Sequence, residues 1–305
     1  MVGGMRPDRR EFLGMTAAAV APAQGPKAAP GGLFLCLHEA TSAGFDFRAA
    51  MEGYARAGVR AVEVTLPKLE EFVARESTAT ARRLLEDLGL RPVSCGSQTG
   101  LAEPNPARQK NLELLKRKCE LARGIGCDRM VMPSSTREPF TPEDYRRGAD
   151  NLREAGEAAR PFGVALMLEF TRTATFCGTL STALRLVREA AHPNIRVMLD
   201  TYHFWGGVSK FEDLELLREG ELHHLHFEDT PAEPPRELLE QRHRVYPGRG
   251  MAPLGRIVEA LRRKGYAGPA SVELFDPAIQ ARDPYQVARE IRDAVTQAFL
   301  PVGLG

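Results

Sequence analysis

Four short segments constrain this chain more than any other feature, because each is an apolar run that ends on a carboxylate or an imidazole. They are Val164-Ala165-Leu166-Met167-Leu168-Glu169, Ile195-Arg196-Val197-Met198-Leu199-Asp200, Leu222-His223-His224-Leu225-His226 and Ala270-Ser271-Val272-Glu273. Short apolar runs of this kind read as buried strands, and helical patterns separate them, so successive strands must run parallel. A parallel sheet closed into a barrel brings the C-terminal ends of its strands together. Glu169, Asp200, His226 and Glu273, far apart along the chain, are therefore expected to converge.

The rest of the chain supplies the remaining units. From residue 33 onward strand and helix patterns alternate, with strands expected at 33–37, 59–65, 91–95 and 129–132 before the four above. Helices are expected at 47–57, 74–88, 105–125, 141–162, 181–190, 211–218, 251–264 and 284–299. Thr141-Pro142-Glu143-Asp144 is a helix start, with Thr as cap and Pro at the first helical position. The expected fold is a single (β/α)8 TIM barrel over residues 29–300, closed by a C-terminal helix and followed by a tail at 301–305. The length of 305 residues suits one barrel of about 250 residues with extensions.

Residues 1–28 differ in kind. Arg9-Arg10-Glu11-Phe12-Leu13, followed by the modestly apolar Gly14-Met15-Thr16-Ala17-Ala18-Ala19-Val20-Ala21, resembles a twin-arginine export signal, and a Pro/Gly/Ala-rich linker follows. The expectation is export to the periplasm or beyond, with a cytoplasmic location if the signal does not function. No apolar run reaches the roughly 18–20 residues that span a bilayer, so no stable membrane insertion of the mature domain is expected. A formal net charge of +1 gives no electrostatic footprint for nucleic acid. The five cysteines, an odd number without metal-type spacing, argue against a disulfide scaffold; Cys36 and Cys95 read as buried small hydrophobes.

Three carboxylates and one imidazole form a hard donor set. It suits one divalent metal ion, Mn²⁺ or Mg²⁺ first, with Co²⁺ or Zn²⁺ as alternatives, and the lack of thiolates speaks against a structural zinc site. His203, just past the sixth strand, is placed to hold a substrate oxygen, and Asp229 to support His226 or to cap a local turn. His38, Glu63 and Gln98 on early strands are candidates for the same mouth, and Trp205 for an apolar wall beside the substrate.

Together, Leu168-Glu169-Phe170, Leu199-Asp200-Thr201-Tyr202-His203-Phe204, His224-Leu225-His226-Phe227-Glu228-Asp229, Arg244-Val245-Tyr246-Pro247-Gly248-Arg249-Gly250 and Ser271-Val272-Glu273-Leu274-Phe275 resemble the xylose-isomerase-like TIM-barrel superfamily, within its sugar phosphate isomerase/epimerase group. The resemblance implies a divalent metal on Glu169, Asp200, His226 and Glu273. It also implies Glu169 and Glu273 as catalytic proton carriers, with His203 and Arg244 binding substrate. Arg249 departs from the family, which often has an acid between those two glycines.

The expected reaction is isomerisation or epimerisation of a sugar or sugar-derived hydroxy-ketone. A proton is abstracted next to a carbonyl and an enediolate forms. The partner is thus a small carbohydrate or polyol-derived molecule, and homo-oligomerisation stays open. A dehydratase acting on an inosose or a dehydroshikimate-like substrate is the alternative, although Thr171 stands where the dehydroshikimate branch has histidine. A non-catalytic exported carbohydrate-binding protein is the second alternative.

Overall fold

The computed structural model describes Met1 and residues 32–299. The export-signal-like segment and the tail at 301–305 lie outside the described residues. Eight parallel strands close in sequence order into one barrel: β1 (Phe34–His38), β2 (Ala61–Thr65), β3 (Arg91–Gly96), β4 (Arg129–Pro133), β5 (Ala165–Glu169), β6 (Ile195–Asp200), β7 (Leu222–His226) and β8 (Pro269–Val272). Closure is made by β1 on β8, where Phe34 pairs with Pro269 and Leu37 with Val272. All strand edges are consumed in this way, leaving only the two ends of the barrel for chemistry.

The helices are α1 (Phe47–Arg56), α2 (Leu66–Arg75), α3 (Thr78–Asp87), α4 (Arg108–Gly124), α5 (Pro142–Ala159), α6 (Leu180–Ala190), α7 (Thr201–Gly206), α8 (Leu254–Arg263), α9 (Pro277–Gln280) and α10 (Pro284–Phe299). The cap expected at α5 is a full capping box, since Thr141 accepts from Asp144 N–H and the Asp144 carboxylate accepts from Thr141 N–H.

Three expectations need correction. The helix expected over 74–88 is α3 alone, because residues 74–75 end α2, a helix from Leu66 that was not expected, and the chain leaves helical geometry at Glu76 and restarts on Ser77, whose hydroxyl accepts from Thr80 N–H. The helix expected over 211–218 is only a 3-10 turn at Phe211–Leu216. A short helix, α7, follows β6 directly, where no helix was expected; the Asp200 carboxylate caps it by accepting from His203 N–H at 2.8 Å.

Along each strand, side chains alternate between the helices and the barrel axis. Leu166, Leu168, Val197, Leu199 and Leu225 face outward into the main core, against the helices. The inward positions form two small apolar groups, Cys36, Ala61 and Val93 with Phe34 beside them, and Val131, Met167 and Met198. Two residues further along, the same inward face carries His38 after Cys36, Glu63 after Ala61, Glu169 after Met167 and Asp200 after Met198. The period of two thus turns an apolar plug into a charged mouth within one step of each strand. All five cysteines are buried and free.

Candidate active site at the C-terminal mouth of the barrel

The four strand-end residues meet. His226 Nδ1 lies 3.2 Å from Glu169 Oε1, 3.6 Å from Asp200 Oδ2 and 3.4 Å from Glu273 Oε2. Donor atoms of Asp200, His226 and Glu273 all fall within 4.8 Å of one another. Asp200 is fully buried, His226 nearly so, and Glu169 and Glu273 are 6% and 8% exposed, so of the three carboxylates only the last two keep a face toward the opening.

Beneath this group sits Glu63, fully buried. Its Oε2 faces Nε2 of His224 at 2.7 Å and Nε2 of His226 at 3.1 Å, while Oε1 accepts from Ser94 Oγ at 3.1 Å. Above it, the Arg244 guanidinium reaches in from the loop after β7. Its Nη1 lies 2.8 Å from Asp200 Oδ2, 2.8 Å from Glu228 Oε1 and 3.0 Å from Glu273 Oε2. Arg244 Nε donates to Gln241 Oε1, and the rings of Tyr202 and Phe275 lie 5.0 and 5.1 Å from the guanidinium carbon.

The loop that delivers Arg244 is built around Asp229. Its carboxylate accepts from the backbone N–H of Thr230, Gly248, Gly250 and Ala252, and its main chain pairs with Val245 in both directions. A Cβ at Gly250 would stand 2.3 Å from Thr230 O, so only glycine fits this close approach. Asp229 therefore organises the turn, as one of its two expected readings has it, and does not touch His226. Arg249 stacks over Tyr246, on the outside of the same turn.

Burial and charge pull the titrating groups apart. Burial opposes ionisation of Glu63, but His224, His226 and His38 around it hold its carboxyl well below the usual range. Burial likewise opposes the charge on Asp200, and Arg244 and His203 outweigh it, so Asp200 also stays ionised. Burial raises Glu273, and burial together with Asp200 raises Glu228 strongly. His38 is pushed down to about 4 by burial. Its Nδ1 accepts from Ala40 N–H, so in the neutral ring Nε2 carries the proton, and it faces Glu273 Oε1 at 3.3 Å. Burial works against a charge on His226, but Glu273 and Glu63 overcome it and raise its pKa.

This donor set fits a divalent cation on two observations. Asp200 Oδ2 and His226 Nδ1 are buried, face each other at 3.6 Å and have no hydrogen-bond partner, although Arg244 Nη1 forms an ion pair with Asp200 Oδ2. Four carboxyl groups (Glu169, Asp200, Glu228 and Glu273) also surround one guanidinium, and buried charge of one sign is costly without compensation. Glu169, Asp200, His226 and Glu273 are the residues that would hold the cation.

The mouth is a cavity of about 410 Å³, lined among others by His38, Lys118, Glu169, Thr171, His203, Arg244, Glu273 and Phe275. A second cavity of about 460 Å³ adjoins it through Thr173, His203, Gln241 and Phe275. Of the residues expected here, Glu169, Asp200, His203, His226, Arg244, Glu273 and His38 are brought together. Trp205 is not. On α7, two residues past His203 is a turn of about 200°, which points Trp205 away from the mouth, against Phe211 and under the Arg236 guanidinium at 3.9 Å. The apolar wall is Phe275 instead. Gln98 turns back on its own loop, donating to Thr99 O, and does not line the cavity. Glu228, His224 and Phe275 were missed in the sequence. Glu228 alone carried a signal, as a second acid beside Asp229.

The sequence profile described as xylose isomerase-like TIM barrel matches residues 52–295. An inosose isomerase of Halalkalibacterium halodurans is 27% identical over 237 residues, 76% of this chain and 84% of that protein. A 3-dehydroshikimate dehydratase of Pseudomonas putida is 28% identical over 186 residues, 60% of this chain but only 29% of that longer protein. Among solved structures, the IOLI protein with a bound zinc atom superposes with a TM-score of 0.79 at 24% identity, covering 87% of this chain and 99% of that one.

Proposed function

Because the chain belongs to the xylose isomerase-like TIM barrel family, we propose that it is a divalent-metal-dependent isomerase or epimerase of a sugar or sugar-derived hydroxy-ketone. The convergence of Glu169, Asp200 and Glu273 on His226 Nδ1 carries this reading. When bound there, a divalent cation would polarise a carbonyl and acidify the neighbouring C–H. Mn²⁺ or Mg²⁺ matches the oxygen-rich donors, and the zinc of the IOLI structure keeps Zn²⁺ in contention.

The chain's own residues then divide the work. Glu169 and Glu273 are the two ligand carboxylates that reach the opening, so each is placed to take or return a proton at a substrate carbon. Burial raises Glu273, which makes it the stronger base once ionised. Asp200, fully buried and ionised, holds cation alone. His203 and Arg244 line the cavity and are positioned to hold substrate oxygens, while Phe275 provides the apolar wall. An inosose is a cyclic polyol ketone, so the alignment with an inosose isomerase over most of both chains supports a ketone of that shape as substrate.

Dehydration is the second reading, supported by the similarity to the dehydroshikimate dehydratase. Against it, Thr171 rather than histidine lines the mouth two residues past Glu169. Incubating the metal-loaded enzyme in D₂O with ketoses, aldoses and inososes tests both readings. Deuterium at the carbon beside the carbonyl supports isomerase or epimerase chemistry, and loss of water supports the dehydratase. Failure of every substrate to exchange, with the metal bound, leaves the carbohydrate-binding reading. We also propose that the Arg9-Arg10 leader directs export, which cell fractionation of an Arg9→Lys, Arg10→Lys variant would test by its retention in the cytoplasm.

A further inference from the structure

We propose that Glu63 is a positioning residue that selects the nitrogen with which His226 faces the strand-end carboxylates. The inference rests on the metal-site reading above and adds to it a residue that is none of the four strand-end ligands and does not line the opening, but that contacts one of those ligands, His226, from behind. Glu63 is inside β2, fully buried, and absent from the lining of the mouth.

An ionised carboxylate can only accept hydrogen bonds. Glu63 Oε2 faces Nε2 of both His224, at 2.7 Å, and His226, at 3.1 Å, so each ring must present Nε2–H to it. A neutral imidazole has one proton. With it on Nε2, the lone pair of His226 is on Nδ1, the atom that faces Glu169, Asp200 and Glu273. The other tautomer would set a lone pair against Glu63 and an N–H where a cation belongs. Ser94 Oγ and His224 fix Glu63 in turn, as donors to its two different oxygens. The result is a buried chain from Ser94 and His224 through Glu63 to His226, in which the choice of ligand atom is made one residue away from the ligand. A carboxylate behind a ligating imidazole also increases the basicity of the ring, which strengthens its bond to a cation.

The test uses the full chain and Zn²⁺ as the probe. Competition against a chromophoric chelator should show the Zn²⁺ dissociation constant of Glu63→Gln raised by roughly 10- to 100-fold, since the neutral amide neither enforces the Nε2–H tautomer nor raises ring basicity. In the metal-free parent, at a pH above the raised titration of His226, where the ring is neutral, ¹⁵N–¹H correlation spectra of the histidine rings should show its one remaining proton on Nε2. A Glu63→Gln protein that binds Zn²⁺ within two-fold of the parent, or a neutral parent His226 whose single proton is on Nδ1, overturns the proposal. If Glu63→Gln does not fold, His224→Gln, which removes one of the donors that fix Glu63, should give a smaller weakening. Absence of Zn²⁺ binding by the parent would sink the metal reading instead, and the tautomer measurement would still decide the role of Glu63.

Discussion

The two halves of the barrel interior are built from the same strands and obey opposite rules. The lower half is filled by Phe34, Cys36, Ala61 and Val93 on one side and by Val131, Met167 and Met198 on the other. Two residues on, the inward positions are His38, Glu63, Glu169 and Asp200. The lower half stabilises the fold through packing. The upper half gathers like charges that oppose folding unless His224, His226, Arg244 and a cation offset them. The contrast predicts that substitutions below the boundary change stability and spare chemistry, and that those above it do the reverse.

The largest effect is expected at the boundary's upper side. Glu169→Gln or Glu273→Gln should lower substrate proton exchange by about 10²- to 10⁴-fold, with little change in the thermal midpoint of the metal-free protein. Below the boundary, Met198→Ala should cost about 2–5 kcal/mol of stability in denaturant titrations, while Zn²⁺ affinity of the folded protein stays put. A Met198 variant that loses metal before it loses stability would erase the distinction.

Acid should expose the upper half selectively. His38 titrates at about 4 in the folded chain against an ordinary 6.5, so folding favours its neutral ring. That contribution is complete above pH 6.5 and is lost as pH falls toward 4, where the unfolded chain takes up the proton first; its full size is about 3 kcal/mol. Replacing His38 by Gln should flatten that part of the pH–stability curve, as urea unfolding at stepped pH would reveal. Least affected of all should be KM in Trp205→Ala, since the ring packs against Phe211 and under Arg236 away from the mouth. A changed KM would put Trp205 back at the mouth.

The upper half was the more legible part of the sequence. An apolar run broken by a terminal acid or histidine is improbable for a buried strand unless that end is functional, so Glu169, Asp200, His226 and Glu273 stood out against their own neighbours. Glu63 stood out for the same reason, as a charge inside Ala61-Val62-Glu63-Val64, though its partners come from β7 and could not be read locally. His224 and Glu228 were hidden because a histidine or acid beside a ligand looks like part of the same motif. Trp205 was misplaced because the turn of α7 depends on the Asp200 cap, a contact between side chain and backbone that hydrophobic pattern does not register. The break between α2 and α3 was lost for a similar reason, since Ser77 restarts a helix in a stretch whose composition is helical throughout.

If the charged mouth is one cation site, the purified chain must hold a single divalent ion there. The most direct test is equilibrium dialysis of the purified chain against Mn²⁺ or Zn²⁺, with metal counted by atomic emission, for the parent and for Asp200→Asn. One tightly held ion per chain is expected, lost or greatly weakened in the variant. A parent chain that holds none, or a variant that holds its ion as tightly as the parent, would contradict it.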